Sequence, residues 1–327
     1  MRFDLDEQQR DFASSIDRAL GAADVPTAVR AWSTGDTGPG RKVWSTLTDL
    51  GVTALMVPEE YDGIGAHPVD LVVAAERLGY FGVPGPVTES VAVAPILLAT
   101  DERAGGLASG ELIATVAFPP HVPRAVDADT AGLILVAGDG EVRDGVAGDV
   151  HESVDPARRV VDVDASGDAR PADTARAFEF GALATAAQLV GAGQAMLDMS
   201  VEYAKQRTQF GRLIGSYQAI KHTLADVYIA VEMARPLVYG AALSLADDSP
   251  DTARDVSAAT AAAADAALLS ARSSLQAHGA IGYTQEHDLS LLLLRVQALR
   301  SAWGDATWHR RRVLEALSSS SLEALSS

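Results

Sequence analysis

The sequence predicts a mostly helical protein with a small β domain set between two helical regions. Long Ala- and Leu-rich segments flank one stretch of short β-branched runs, and aromatic residues make up only 6% of the chain. A core of small and aliphatic side chains favours closely packed helices over a β-sandwich. We expect a helical domain at 1–110, a reduced β domain at 111–171, a four-helix domain at 172–317 and a tail at 318–327.

The first hundred residues have the pattern of helices joined by loops. Apolar residues fall at helical spacing over 2–32, and further helices are predicted over 41–50, 69–80 and 90–100. Glycine and proline cluster between these segments, most densely at 58–65, and they mark turns there. The N-terminal domain should therefore be all α.

The middle of the chain changes in character. Short apolar runs at 112–118, 132–137 and 160–163 predict strands, and Pro-Pro and Gly-rich turns separate them. The whole β region has only about sixty residues. It therefore predicts a small sheet.

Four long helices are predicted after residue 172, over 174–206, 217–246, 250–279 and 289–317. The third is rich in alanine and contains no aromatic residue over 251–265, which suits helices that approach closely. The final SSSSLEALSS predicts a frayed tail.

Composition narrows the classes of function. The net charge of −18 argues against nucleic acid or an anionic membrane as the main partner, although a local basic site for an anionic ligand stays possible. The absence of cysteine excludes disulfides, thiolate nucleophiles and Cys-ligated metals, and no metal site is predicted. Neither a signal peptide nor a charge-free run of about 18 apolar residues is evident, so we expect no membrane span and a cytoplasmic protein.

A basic-aromatic segment, RTQFG at 207–211, follows the first long C-terminal helix. Arg207 offers a planar, permanently charged fork that suits phosphate oxygens, but it could instead cap the carbonyls of the helix end. Phe210 could be a packing anchor. Gln218 and His222 lie four residues apart, hence on one face of the next helix.

A second glycine-containing segment follows the third long helix. Gln276 can supply paired amide contacts, and Gly279 and Gly282 let the backbone approach a ligand or another chain. An ordinary helix C-terminus is an equally good explanation of these glycines. The run HRRR at 309–312 is expected to be a solvated helix face.

Taken together, four stretches resemble the acyl-CoA dehydrogenase family: 58–80 (PEEYDGIGAHPVDLVVAAERLGY), 207–211, 217–222 (YQAIKH) and 276–283 (QAHGAIGY). Ala280 replaces the second glycine of the family's QxhGGxGy turn. The resemblance implies an FAD enzyme that removes hydrogens from Cα and Cβ of an acyl-CoA. It also implies contacts to the pyrophosphate and adenosine end of a neighbouring subunit's FAD from Arg207, Gln209, Phe210, Gln218, Gln276, Gly279 and Gly282.

The family's catalytic base has no clear counterpart. The family carries this carboxylate either near the C-terminus, where gapless alignment places Trp303, or at the start of the helix before RxQFG, where it places Gly181. Asp305 and Glu179 each lie two residues from these positions, and two residues turn a helix by about 200°. No catalytic residue is assigned, and Asp305 and Glu179 are weak candidates.

The β region also departs from the family, because it lacks a TEPxAGSD-like loop and a WITN-like strand. Both departures resemble the base-less subunit of actinobacterial α2β2 acyl-CoA dehydrogenases of steroid side-chain breakdown. That resemblance implies a catalytic partner that holds most of the acyl-CoA, and an electron-transfer flavoprotein. Two alternatives stay open: a self-sufficient dehydrogenase that uses Asp305 or Glu179, and a helical scaffold without flavin.

Overall fold

The N-terminal helices form as the sequence predicts. The structure, a computed structural model, describes the backbone of residues 5–326 and the side chains of residues 5–319. In α1, the Asp6 side chain accepts from the Gln9 amide while the Gln9 side chain accepts from the Asp6 amide, a capping box. A π-helical turn, Thr88–Val93, leads into α5. The α-helices in the described part of this region are α1 (Glu7–Ala22), α2 (Val25–Ser33), α3 (Gly38–Asp49), α4 (Pro68–Phe81), α5 (Ala94–Leu97) and α6 (Ala104–Ala108).

The β region forms one five-stranded sheet in the order β1-β3-β4-β5-β2. The β1–β3 pair is parallel, and the other pairs are antiparallel. The three predicted strands are confirmed, since they correspond to β1, β3 and the first residues of β5. The strands are β1 (Ala114–Ala117), β2 (Ala125–Val126), β3 (Leu133–Gly138), β4 (Glu141–His151) and β5 (Val160–Pro171).

The long C-terminal helices begin and end close to their predicted bounds, except for the last. The predicted helix over 289–317 is wrong, because a break separates α10 from α11 and places Trp303 and Gly304 in left-handed conformations. Helix α11 continues to Ser326, across most of the predicted tail. The elements are α7 (Thr174–Gln206), β6 (Thr208–Gln209), β7 (Arg212–Leu213), α8 (Gln218–Ala246), α9 (Thr252–His278), α10 (Leu289–Leu299) and α11 (Ala306–Ser326).

Helices α7 and α9 run parallel and very close together. The Ser270 hydroxyl donates to the Gly193 carbonyl at 2.7 Å, and the Ser274 hydroxyl donates to the Met196 carbonyl at 3.0 Å. Because α8 connects the two, it runs antiparallel to both. The C-terminal ends of α7 and α9 and the N-terminal end of α8 therefore meet at one end of the bundle, which we call the hairpin end.

Two glycines bring the N-terminal domain onto this bundle. A Cβ on Gly191 of α7 would lie 1.8 Å from the Glu76 carbonyl oxygen, and one on Gly79 of α4 would lie 2.2 Å from the Gln188 carbonyl oxygen. Helices α4 and α7 thus pack backbone against backbone, which only glycine permits at these crossings.

By length and composition, α7 and α8 would each qualify as a membrane span, a similarity that the sequence reasoning did not anticipate. The most apolar stretch of α7 is 94% buried inside the protein, as expected for a core helix. The corresponding stretch of α8 is only 33% buried. Helix α8 therefore presents much of its apolar surface outward.

Candidate functional site

The RTQFG segment forms a two-residue β-hairpin at the hairpin end of the bundle. Gln209 pairs with Arg212, and Phe210 and Gly211 have φ angles of 51° and 79°, which a type I′ turn requires. The turn places Phe210 at the tip, where it is 94% exposed. Phe210 therefore anchors no packing among the described residues of this chain.

Arg207 leads into this hairpin, and its side chain is exposed. It has no hydrogen-bond or ion-pair partner among the residues that the structure describes, so it does not cap the carbonyls of α7. The hairpin itself is braced from α8, since the Tyr217 hydroxyl donates to the Gln209 carbonyl at 3.1 Å. The Arg212 guanidinium lies 3.8 Å from the centre of the Tyr217 ring. The exposed Arg207 guanidinium is thus followed directly by a hairpin that these two contacts with Tyr217 hold in place.

The QAHGAIGY segment lies at the same end. Gln276 is exposed in the last turn of α9, and Gly279 ends that helix with a φ of 65°. Gly282 is packed against His278 and Leu275. Both glycines therefore also have a structural reason to be there, as the alternative explanation expected.

His278 ties this segment to α7. Its buried ring stacks on Tyr203 with 4.4 Å between ring centres, and burial lowers its pKa. Exposed Gln218 begins α8 beside the hairpin, with His222 exposed one turn later. The structure thus gathers at one end all seven residues that the resemblance assigned to a cofactor.

A groove of about 350 Å³ lies beside Gly282, between α9 and α10. Its size falls in the range of small-molecule sites. Its walls are mainly apolar, with one arginine among them, and the lining includes Arg272, Leu275, Tyr283, Leu293 and Gln297.

The opposite end of α7 is arranged differently. The Trp303 indole lies directly over Gly181, and a Cβ at residue 181 would be 2.5 Å from two of its ring atoms. The two positions at which the resemblance looked for a base are therefore neighbours in space. Trp303 is fully buried, and its indole N–H donates to a carboxylate oxygen of Glu89 at 3.2 Å.

Aromatic rings fill the junction between the β domain and the helices around Trp303. Phe118, which follows β1, and Phe178 of α7 have ring centres 5.7 and 5.8 Å from that of Trp303. His121 and Trp308 extend the cluster, with 4.3 Å between their ring centres. The β domain thus packs on α7 through aromatic contacts.

Asp305 and Glu179, the two weak candidates for the base, already accept hydrogen bonds within this chain. Asp305 is exposed, and its carboxylate accepts from the Trp308 amide at 2.8 Å, which caps α11. Glu179 is buried, and both of its oxygens accept from the guanidinium of Arg312. The predicted solvated face at 309–312 is therefore wrong for Arg312, and it is also wrong for His309, which is fully buried.

The sequence reasoning missed Glu89 and Arg158, which meet beneath Trp303. Glu89 is 1% exposed, and its carboxylate lies 3.5 Å from the Arg158 guanidinium. The available signal was an acidic residue in the apolar run TESVAVAPILL. This buried pair supports the indole that covers Gly181.

His309 fixes the loop that carries Trp303, and its charge state should affect stability. Its Nε2 lies 3.0 Å from the Trp303 carbonyl, and its Nδ1 lies 3.1 Å from the Ser257 hydroxyl, so the neutral ring donates through Nε2 and accepts through Nδ1. Burial lowers the pKa of His309 to about 4. The unfolded chain, with an ordinary histidine pKa, takes up a proton first as the pH falls.

We therefore expect His309 to contribute stability above pH 6.5 that is lost between pH 6.5 and about 4, up to about 3 kcal/mol. Asp127 acts in the opposite sense, since burial raises its pKa to about 6 and its protonation favours the fold below that pH. Urea unfolding of the wild type and of His309→Gln at several pH values separates the contribution of His309 from that of Asp127. The difference between the two free energies of unfolding should shrink on acidification, and a pH-independent difference would contradict the assignment.

Comparison with known proteins gives consistent matches along the chain. Models of the acyl-CoA dehydrogenase N-terminal and C-terminal domains match residues 6–104 and 172–318. The chain is 34% identical to "Acyl-CoA dehydrogenase IpdE2" of Mycolicibacterium smegmatis, over 88% of this chain and 92% of that protein.

Two solved structures show the same fold. The ChsE4-ChsE5 complex from Mycobacterium tuberculosis has a TM-score of 0.84 at 24% identity, and the Tcur3481-Tcur3483 steroid ACAD G363A variant has a TM-score of 0.87 at 20% identity. Each match covers 97% of this chain and 99% of the other.

Proposed function

The chain belongs to the acyl-CoA dehydrogenase family, and on that premise we propose that it completes the FAD site of a catalytic partner subunit in an α2β2 assembly. FAD is the cofactor that this family membership indicates. The observation that carries the proposal is the contrast between the two ends of α7. One end presents an exposed Arg207 that has no side-chain partner among the residues that the structure describes, and at the other an indole covers the position of a base.

The distance between these ends supports a shared site. Gly181 and Arg207 are 26 residues apart along one chain, almost all of it the single helix α7, which corresponds to roughly 40 Å. A cofactor bound at this chain's own Arg207 would therefore be far from the region beside its own Gly181. The hairpin serves a reaction centre outside this chain.

The chemistry of the hairpin end fits the phosphate part of FAD. Arg207 can donate two parallel hydrogen bonds to pyrophosphate oxygens, and no internal carboxylate competes for it among the described residues. Gln209 and Gln276 present exposed amides beside it, and the exposed Phe210 ring can pack against the second chain. When bound, FAD supplies the acceptor for the hydride from Cβ of the acyl group.

The proton from Cα needs a carboxylate within hydrogen-bond reach. In this chain, Asp305 caps a helix and Glu179 is bound by Arg312, while Trp303 occupies the space above Gly181. We assign the base to the partner, which also holds most of the acyl-CoA. Two of the structurally similar proteins support a heteromer that acts on a steroid side-chain CoA. One is the ChsE4-ChsE5 complex, and the other is the Tcur3481-Tcur3483 steroid ACAD. We further propose an electron-transfer flavoprotein as acceptor and a cytoplasmic location.

The test is the flavin-to-chain ratio of this chain alone and after co-expression with a base-carrying acyl-CoA dehydrogenase from the same genome. We expect no flavin alone, and one FAD for every two chains in the complex. Arg207→Ala should weaken flavin binding about tenfold to a hundredfold, because it removes charge-assisted hydrogen bonds. Arg310→Ala, which removes a surface ion pair with Asp265, is the matched control.

One FAD bound per chain by this protein alone, together with turnover of acyl-CoA, would refute the proposal and favour the self-sufficient alternative. Activity lost in Asp305→Ala or Glu179→Gln would then identify the base. A colourless complex whose assembly and activity are indifferent to Arg207→Ala would favour the scaffold alternative.

A further inference from the structure

A pocket lies where the β domain meets the end of α10, beside the loop that carries Trp303. It encloses about 250 Å³ between the segment that follows β1, the segment that joins β4 to β5, and the last turn of α10. In the described part of the chain its lining contains two arginines and no acidic residue, although acidic residues outnumber basic ones by 44 to 26 in the whole sequence. The lining includes His121, Arg124, Val126, Ser153, Arg158 and Ser301.

Arg158 is the group in this pocket whose hydrogen-bonding capacity is least used. The residue is only 8% exposed, and its guanidinium makes one ion pair, with the Glu89 carboxylate at 3.5 Å. That separation is longer than the roughly 2.7–2.9 Å of a charge-assisted hydrogen bond. The guanidinium has no other partner among the residues that the structure describes. Most of its five N–H donors are therefore free to bind a ligand.

The surrounding contacts hold this guanidinium in place. The Glu89 carboxylate that it faces also accepts from the Trp303 indole N–H at 3.2 Å. The Arg158 amide donates to the Asp155 carbonyl at 2.9 Å, and the Asp155 carboxylate is bound by Arg295 of α10. The turn that carries Arg158 is therefore tied to the helix that forms another wall of the pocket. Binding to a cation that is already ordered costs little further conformational entropy.

The chemistry of the pocket favours a carboxylate that carries a small apolar group. A planar guanidinium can donate two parallel hydrogen bonds to a carboxylate. A phosphate dianion calls for more cationic donors than Arg158 alone, and Arg124 is already paired with Asp162 at 2.7 Å. The volume lies below the usual range for drug-sized ligands, so the ligand is small. Apolar side chains that could contact its body are those of Val122, Pro123, Val126, Val160 and Ala298.

We propose that this pocket binds a small organic carboxylate through Arg158, at a site separate from the flavin contacts of the hairpin end. The inference goes beyond the proposed function and does not rest on it, because Arg207 and its hairpin play no part in the pocket. The site belongs to this chain alone, since its walls come from the β domain and α10 of the same molecule.

Calorimetric titration of the full chain with isobutyrate and with benzoate tests the proposal. We expect at least one of them to bind with a Kd in the millimolar range or below. Its neutral amide, isobutyramide or benzamide, should bind at least about tenfold more weakly, because it lacks the charge that pairs with Arg158. Ser301→Glu places a carboxylate at the rim of the pocket and should weaken binding by at least about tenfold. Ser14→Glu on α1 is the matched control, since both serines are exposed and donate to a carbonyl of the preceding turn.

Arg158→Lys is the second variant, and it separates binding from folding. Lysine keeps a positive charge beside the buried Glu89 carboxylate, so the chain should still fold, as its circular dichroism spectrum will show. It loses the planar fork, so the Kd for the carboxylate should rise by at least about tenfold. An Arg158→Lys chain that folds and binds the carboxylate as tightly as the wild type overturns the role of Arg158.

Four further results would overturn the proposal. They are the failure of both carboxylates to bind at millimolar concentration, amides that bind as tightly as the carboxylates, inorganic phosphate that binds more tightly than either, and displacement of the bound carboxylate by FAD or CoA. The last would make the pocket part of the cofactor or acyl-CoA site.

The variant Arg207→Ala distinguishes this inference from the proposed function. It should retain the carboxylate affinity of the wild type while the complex that contains it loses flavin. Carboxylate binding by a chain whose complex holds no flavin would leave the pocket assigned and refute the shared flavin site. A flavin-containing complex whose chain binds neither carboxylate would do the reverse.

Discussion

Replacing Trp303 with alanine is expected to lower the free energy of unfolding by about 3–5 kcal/mol. The indole is fully buried among Phe118, Phe178 and the backbone of Gly181, so its removal leaves a large cavity. It also removes a donor to the buried Glu89 carboxylate. Urea unfolding followed by far-ultraviolet circular dichroism measures the loss.

Two controls separate the loss of stability caused by the cavity from that caused by the lost hydrogen bond. Trp303→Phe keeps an aromatic ring but removes the indole N–H, so its loss should be smaller than that of Trp303→Ala. Free indole in the buffer should raise the thermal midpoint of Trp303→Ala and leave that of the wild type unchanged. A Trp303→Ala protein as stable as wild type would show that the indole does not fill the junction.

Arg295→Leu should destabilise the protein by a similar amount, about 3–5 kcal/mol, because it leaves the Asp155 carboxylate buried without its counter-charge. Both side chains are only 5% exposed, and the guanidinium also donates to the Val83 carbonyl at 2.7 Å. One arginine of α10 thereby joins the β domain and the N-terminal domain. Chemical unfolding and thermal scans report the effect.

The charge argument can be separated from packing. The double variant Arg295→Leu with Asp155→Leu removes both charges and should recover much of the lost stability. Arg310→Leu breaks the exposed pair with Asp265, whose side chains are 54% and 62% exposed, and should cost less than about 1 kcal/mol. Equal losses in Arg295→Leu and Arg310→Leu would contradict burial as the cause.

The sequence was a good guide to elements whose signals are local. Helix α7 was predicted over its observed range from a long Ala-rich segment and the RTQFG segment that follows it; the structure adds that Asp173 caps its start. Strand β4 was missed because it is mostly exposed and contains two glycines and three acidic residues, so no apolar run marks it. The break between α10 and α11 was missed although Gly304, with a φ of 98°, and the helix-capping Asp305 mark it locally; His309 also holds the Trp303 carbonyl.

The difference between local sequence signals and long-range contacts also applies to the candidate site. The residues at the hairpin end were found from motifs, and they meet because helix ends meet. The ion pair of Glu179 and Arg312 joins residues 133 positions apart, and sequence spacing carries no trace of it. Likewise, nothing in the sequence connected Gly181 with Trp303, although each was noted separately for lacking a carboxylate.

The contact of Gly181 with Trp303 has an evolutionary consequence. Any side chain gained at 181 meets the indole, and any loss of the indole opens a cavity in a junction where Phe118 and Phe178 already pack. A carboxylate at 181 could be accommodated only together with a change at 303, and either change is harmful by itself. In the proposed assembly, this contact would make a division of labour between two subunits difficult to reverse by single mutations.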